Sequence, residues 1–151
     1  MLNGTLYNSK YTGGNGVWYN TAFNTSFIFN GVCGYEFWAN RNKAFGSDLK
    51  ITLSGGKPYI PVNEEASIAQ KKIVYNYSKA YSVRYKNYFR TDLKIYYKMN
   101  YRKFYIEFAV DFQNLTNNKN IYYQEFIPET GLYNTYYHMS FFPMYTFKCL
   151  F

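Results

Sequence analysis

The stretch from Asp92 to Gln113 leaves this chain few ways to fold. Leu93, Ile95, Tyr97 and Met99 alternate with Asp92, Lys94, Tyr96 and Lys98; further on, Phe104, Ile106, Phe108, Val110 and Phe112 alternate with Tyr105, Glu107, Ala109, Asp111 and Gln113. A period of two sends successive side chains to opposite faces of a strand. The pattern therefore predicts an amphipathic hairpin, joined at Asn100-Tyr101-Arg102-Lys103. A slip of one residue would exchange the faces, so only registers that differ by two compete. Pairing Met99 with Phe104 sets Asp92 against Asp111. Sliding one way pairs Lys94 with Glu107 and Arg90 with Asp111; sliding the other pairs Lys98 with Glu107 and Lys94 with Asp111. The first, with a tight turn at Asn100-Tyr101, is the expected register, although it leaves Lys98 facing Lys103. In either, Lys94, Glu107 and Asp111 share the polar face, opposite Ile95, Phe108 and Val110.

What covers the apolar face decides the function class. A soluble sheet buries that face against a second layer. A transmembrane barrel turns it to lipid and lines a lumen with the polar face. Here the apolar residues come in segments of about 10, the length that crosses a bilayer at a tilt. Aromatics crowd the segment ends, as at membrane interfaces, and the chain ends on Phe151.

The rest of the chain extends the same pattern. Leu2–Thr12 reads as a first strand, and Thr25–Asn40 as a second, with Phe27, Phe29, Gly31, Cys33, Tyr35 and Phe37 on one side and Ile28, Asn30, Val32, Gly34, Glu36 and Trp38 on the other, a less clean division of faces; Gly31 and Gly34 suggest a bend or bulge. Ser47–Ser54 is a third, with Leu49, Ile51 and Leu53 outward. Tyr136–Phe151 is the last. The loops Gly55–Tyr88 and Asn117–Thr135 are long, with a helical turn possible at Glu64–Gln70, whereas the connections after the second and fourth strands are short. Barrels show that asymmetry between extracellular loops and periplasmic turns, and it puts Phe151 at the periplasmic end. The expected fold is all-β: an antiparallel up-and-down meander of about six strands, a partial, open transmembrane β-barrel.

Composition narrows the chemistry. With 20 Tyr and 14 Phe among 151 residues, aromatics rather than aliphatics supply the apolar surface. The net charge of +8 is spread over turns and alternating strand positions rather than gathered in a patch, which argues against nucleic acid. His138 is the only histidine, and Cys33 and Cys149 are far apart on apolar positions, without metal-ligand spacing. Gly55-Gly56-Lys57 lacks the rest of a phosphate loop. No catalytic constellation is present, and neither enzyme activity nor a cofactor is expected.

Several segments resemble TonB-dependent outer-membrane receptors, particularly the Bacteroidetes-type barrels. Asp92-Leu93-Lys94-Ile95-Tyr96-Tyr97-Lys98 resembles their late barrel strands, as do Gln113-Asn114-Leu115-Thr116-Asn117 with Asn120, and Pro128-Glu129-Thr130-Gly131. Phe141-Phe142-Pro143-Met144 through Phe151 is similar to their C-terminal strand. Gly55-Gly56-Lys57-Pro58-Tyr59-Ile60-Pro61 and Glu65-Ala66-Ser67 resemble one of their long extracellular loops. The resemblance implies the C-terminal part of a receptor that takes up a nutrient such as a siderophore or glycan. Receptor barrels have about 22 strands around a plug. The chain begins without a signal peptide and has no plug or TonB-engaging segment, so it is expected to be a fragment. Implied partners are outer-membrane lipid, the remaining barrel and plug, TonB, and the barrel assembly machinery, which would recognise Phe151. The long loops would form a ligand vestibule, with Tyr59, Tyr75, Tyr77, Tyr81, Tyr122 and Tyr123 as stacking residues, while Lys94, Glu107 and Asp111 would face the lumen. A non-transport barrel (an adhesin or structural protein) and a soluble β-sandwich binding module are the alternatives.

Overall fold

Alternation becomes backbone pairing in the computed structural model, which describes all 151 residues, Met1–Phe151. In chain order the strands are β1 (Leu2–Leu6), β2 (Lys10–Thr12), β3 (Trp18–Asn20), β4 (Phe27–Asn40), β5 (Lys43–Ser54), β6 (Pro58–Tyr59), β7 (Val83–Arg84), β8 (Tyr88–Tyr101), β9 (Phe104–Gln113), β10 (Ile121–Ile127), β11 (Leu132–Tyr137) and β12 (Phe142–Leu150). One short α-helix, α1 (Glu64–Gln70), and a single 3-10 turn at Tyr77–Lys79 lie between β6 and β7; α1 is capped by the Asn63 side chain accepting from the Ala66 amide at 3.1 Å. No helix is long and apolar enough to cross a membrane.

Six strands form one antiparallel sheet in the order β1-β4-β5-β8-β9-β12. Each follows its neighbour in the chain, so the sheet is a meander; β12 does not return to β1, and the sheet is open. The turns β4–β5 and β8–β9 are tight, closing at Asn40–Lys43 and Tyr101–Phe104. The other three connections all leave the opposite end, and each carries a two-stranded ribbon: β2–β3, β6–β7 or β10–β11. Phe151 therefore sits at the tight-turn end, fully exposed.

Every strand of the sheet keeps the same parity. Phe29 pairs with Leu53, Leu53 with Phe89, Leu49 with Leu93, Ile95 with Val110, and Phe108 with Phe147. Phe45 and Tyr97 pack at 4.6 Å between ring centroids, and Phe108 and Phe147 at 4.9 Å. Nothing lies over this apolar face: Phe29, Tyr35, Phe37, Phe45, Ile95, Phe108, Tyr145 and Phe147 are all exposed. Cys33 and Cys149, both free thiols, share its parity.

The other face is polar across β5, β8 and β9, where its side chains shield one another, while toward the sheet edges it also carries Val32, Trp38, Phe142, Met144 and Leu150, all exposed. Lys50 pairs with Asp92, Asp48 with Lys94, Lys94 with Asp111, Lys98 with Glu107, and Glu107 with Lys148. Directly opposed charges are thus of opposite sign throughout, the arrangement that stabilises neighbouring strands. Small residues make a trough along β5, where Ala44 is fully buried and Gly46 lies directly under Tyr96. A Cβ on Gly46 would fall 2.1 Å from the Tyr96 ring. Across that trough Tyr96 donates to Glu36 at 3.1 Å, and Lys98 reaches the same carboxylate at 2.6 Å with its ammonium 4.3 Å from the Tyr96 ring centroid.

Four sequence expectations need correction. The register is the one that pairs Lys98 with Glu107 and Lys94 with Asp111, not the expected one. It lengthens the ladder by a Tyr101–Phe104 aromatic pair and confines Arg102 and Lys103 to the turn, so Lys98 meets no like charge. Lys94, Glu107 and Asp111 do share a face, opposite Ile95, Phe108 and Val110. The first strand ends at Leu6, and residues to Thr12 turn away into the β2–β3 ribbon. Tyr136 and Tyr137 belong to β11, so the last strand starts at Phe142, and the loop 117–135 holds most of a hairpin. Gly31 and Gly34 lie in regular ladder, while the register shift falls at Trp38–Asn40; Gly34 instead makes room for Asp48, whose Oδ1 lies 2.0 Å from where a Cβ would be.

The Tyr96–Gly46 contact is testable by a double-mutant cycle. Gly46→Ala should destabilise the folded sheet by about 1–3 kcal/mol through overpacking. In a Tyr96→Ala background the same change should cost clearly less, because the ring it strikes is gone. Thermal unfolding of the four variants checks this; additive effects would contradict the contact.

Candidate functional site

The three long connections meet at one end of the sheet because glycines let backbones touch there and asparagine side chains bond to the backbone. Gly55 and Gly56 have no room for a side chain: a Cβ would lie 1.8 Å from the Thr25 carbonyl oxygen and 1.8 Å from that of Tyr85, respectively. Gly56 N–H donates to Asn87 Oδ1 at 3.1 Å, and the Arg84 guanidinium donates to the carbonyls of Asn24 and of Gly56, the latter at 3.2 Å. The first and second connections are thereby pinned to each other.

Asn114 and Asn117, both in the left-handed region (φ 49° and 50°), turn the third connection back over β8. Buried Asn114 donates to the Asn118 and Met139 carbonyls, each at 3.0 Å, and accepts from the Asn118 amide at 3.0 Å. Asn120 then holds both polar groups of the Phe89 backbone, accepting at 2.9 Å and donating at 2.7 Å. The Gln113–Asn117 motif and Asn120 thus clamp the loop to the end of the sheet.

Between these loops lies a cavity of about 390 Å³. It collects all six tyrosines singled out from the sequence: Tyr59, Tyr75 and Tyr77 from the β5–β8 connection, Tyr81 beside them, and Tyr122 and Tyr123 from β10. None of these six hydroxyls is engaged in a hydrogen bond within the chain, whereas Tyr85 accepts from the Gln124 amide at 3.1 Å and Tyr133 donates to Glu64 at 2.8 Å. Tyr85 and Tyr133 also line the cavity, and the sequence reading missed both. Tyr85 stacks on Tyr59 at 4.3 Å with the planes 14° apart, while Tyr133 reaches the site only because β11 folds back on β10. The Pro128–Gly131 turn between alternating runs was the signal for that hairpin; Gly131 takes φ 68° there. Tyr81 sits at φ 55°, a conformation unusual for an aromatic residue, held in part by Asn20 donating to its carbonyl at 3.0 Å.

Burial pushes the Tyr85 phenol above its ordinary value, and burial together with the Glu64 hydrogen bond pushes Tyr133 up to about 12. Both stay neutral at physiological pH, and Lys57 is the sole charged residue in the cavity wall. A second cavity of about 330 Å³ adjoins the first, sharing Lys57 and Tyr85 and adding Lys86 and His138. His138 packs edge-on between Tyr88 at 5.4 Å and Tyr122 at 5.0 Å. Burial first, and then the nearby charges of Lys57 and Arg90, hold its pKa below the 6.5 of a free imidazole.

The remaining sequence candidates lie apart from the cavities at the loops. Lys94, Glu107 and Asp111 lie down the polar face, where Lys94 reaches Glu107 at 3.4 Å, and Phe151 is at the far end. No group of three or more His, Cys, Asp or Glu side chains converges as a metal site would require. No family model, no curated protein and no solved structure matches this chain.

The His138 environment predicts a pH dependence. Its lowered pKa means that the unfolded loop takes up a proton first as the pH falls below about 6.5. The stabilisation is complete above that value and declines below it, toward the lowered native pKa. NMR titration should place His138 under 6.5, and resistance of the 114–141 connection to protease should fall between pH 7 and pH 5. His138→Phe should flatten that fall.

Proposed function

We propose that this chain is the C-terminal part of a TonB-dependent outer-membrane receptor that takes up a nutrient ligand such as a siderophore or glycan. The observation that carries the reading is the sidedness of the sheet: its aromatic face is open, while the charges of its other face are paired with one another across neighbouring strands. In water such an exposed apolar surface is a liability; in lipid it is the expected exterior. The segregation of long connections to one end and tight turns to the other supports the same orientation, as does the open sheet, which a longer barrel would continue on both sides. Lys94, Glu107 and Asp111 would then line the lumen, and the tyrosine cavity would belong to the extracellular vestibule.

The test uses the natural full-length protein with Cys33→Ser and Cys149→Ser as background. A cysteine introduced as Phe108→Cys should react in intact outer membranes with a lipid-soluble thiol reagent and resist a membrane-impermeant one. Lys94→Cys should react with the impermeant reagent through the lumen. Ready labelling of Phe108→Cys by the impermeant reagent, or soluble monomeric behaviour without detergent, would overturn the reading.

Phe151 gives an independent prediction. Deleting it should reduce the outer-membrane level of the protein, since its aromatic side chain would be the mark read by the assembly machinery. Unchanged levels with unchanged heat-modifiable migration would remove that role.

A further inference from the structure

The two adjoining cavities differ in character, and their junction is Lys57. On one side stand rings with free hydroxyls: Tyr59, Tyr75, Tyr77, Tyr122 and Tyr123. On the other stand Lys86 and His138. No carboxylate lines either cavity. The nearest acid engaged with the site, Glu64, is occupied by Tyr133, and Arg84 is spent on two backbone carbonyls. Neither Lys57 nor Lys86 has an ion-pair partner.

These features select a ligand. An aromatic chamber without a cation would suit an ammonium group, because ring faces attract positive charge. Here the Lys57 ammonium already lies 5.8 Å from the Tyr122 ring centroid, so a second cation would meet repulsion with no acid to offset it. The free phenol hydroxyls and two unpaired ammoniums are donors looking for acceptors, and charge-assisted hydrogen bonds to an anion are the strongest they can make. The rings supply flat apolar faces for stacking.

We propose that the joined cavities bind a ring-bearing anion, with an apolar face of the ring against the tyrosine walls and the acidic group at Lys57 and Lys86. The proposal rests on the vestibule reading above and narrows it to acidic ligands. Two sources share this chemistry, an acidic saccharide and an aromatic carboxylic acid, and the experiment separates them.

Binding is measured by calorimetry on the natural full-length protein in detergent, first shown to be folded by heat-modifiable migration. The probes are an oligogalacturonide, the uncharged galactose oligomer of equal length, and 2-naphthoate. One acidic probe should bind at least tenfold more tightly than the neutral oligomer, and its affinity should fall as salt rises. Lys57→Gln should weaken that probe by about tenfold, the loss expected for one charge-assisted hydrogen bond, and leave the neutral oligomer unaffected. Lys57→Arg should retain most of the affinity. Preference for the oligogalacturonide assigns the saccharide source; preference for naphthoate assigns the aromatic acid. Equal binding of the neutral oligomer, or no binding by any probe to folded protein, overturns the proposal while leaving the receptor reading to its own labelling test. Failure of the receptor reading appears separately, as absence of the protein from the outer membrane.

Discussion

Parity is the constraint on which the rest of this structure depends. Six strands are paired so that every even position from Ile28 to Trp38 lies on the same face as Asp48, Lys94, Asp111 and Thr146. Displacing any one strand by a single residue would drive lysines and aspartates among phenylalanines. The charged face reinforces the alignment, because opposed charges alternate in sign from β5 to β12 and the ring of Tyr96 lies flat in the trough left by Gly46. Paired charges on one face and open aromatics on the other are two consequences of one register.

The loop end follows a different rule. There the backbone approaches itself more closely than side chains permit at Gly55 and Gly56, and Asn114 and Asn117 take the left-handed conformation that turns the chain back. Gly55-Gly56-Lys57, which does not complete a phosphate loop, joins backbone to backbone and sets Lys57 at the junction of two cavities. Asn114 and Asn120 use their amide groups to replace ladder hydrogen bonds that a connection cannot otherwise make. Sheet and loop end are thus separable. The sheet is held by period-two pairing, and the loop cluster by a few tight backbone crossings.

This separation bears on the proposed receptor function. Tyrosines at the loops are largely free of internal hydrogen bonds, whereas those on the polar face, Tyr96 and Tyr105, are committed to Glu36 and Glu107. The same residue type serves as structural cement in one region and leaves its hydroxyls unengaged in the other. What differs is whether a carboxylate stands within reach.

Much of the sheet was legible in the sequence, because a period of two survives whatever the strands pair with. The face assignments of Leu49 through Leu53 and of the whole hairpin follow from alternation alone, as does the grouping of long and short connections; that of Phe27 through Phe37 is less clean, because Ile28, Val32 and Trp38 make its other side partly apolar. The six cavity tyrosines could be named as residues of the two long loops, although Tyr122 and Tyr123 belong to β10. Which register the hairpin takes was not legible there. Alternation admits every register that differs by two, and the observed one gains the Tyr101–Phe104 pair at the turn while setting Lys98 opposite Glu107. Nor could spacing show that residues 121–137 fold back as a ribbon bringing Tyr133 to Tyr85, or that Lys57 joins two cavities. Local periodicity fixes which way a side chain points. Only the meeting of segments distant in the chain decides what it points at.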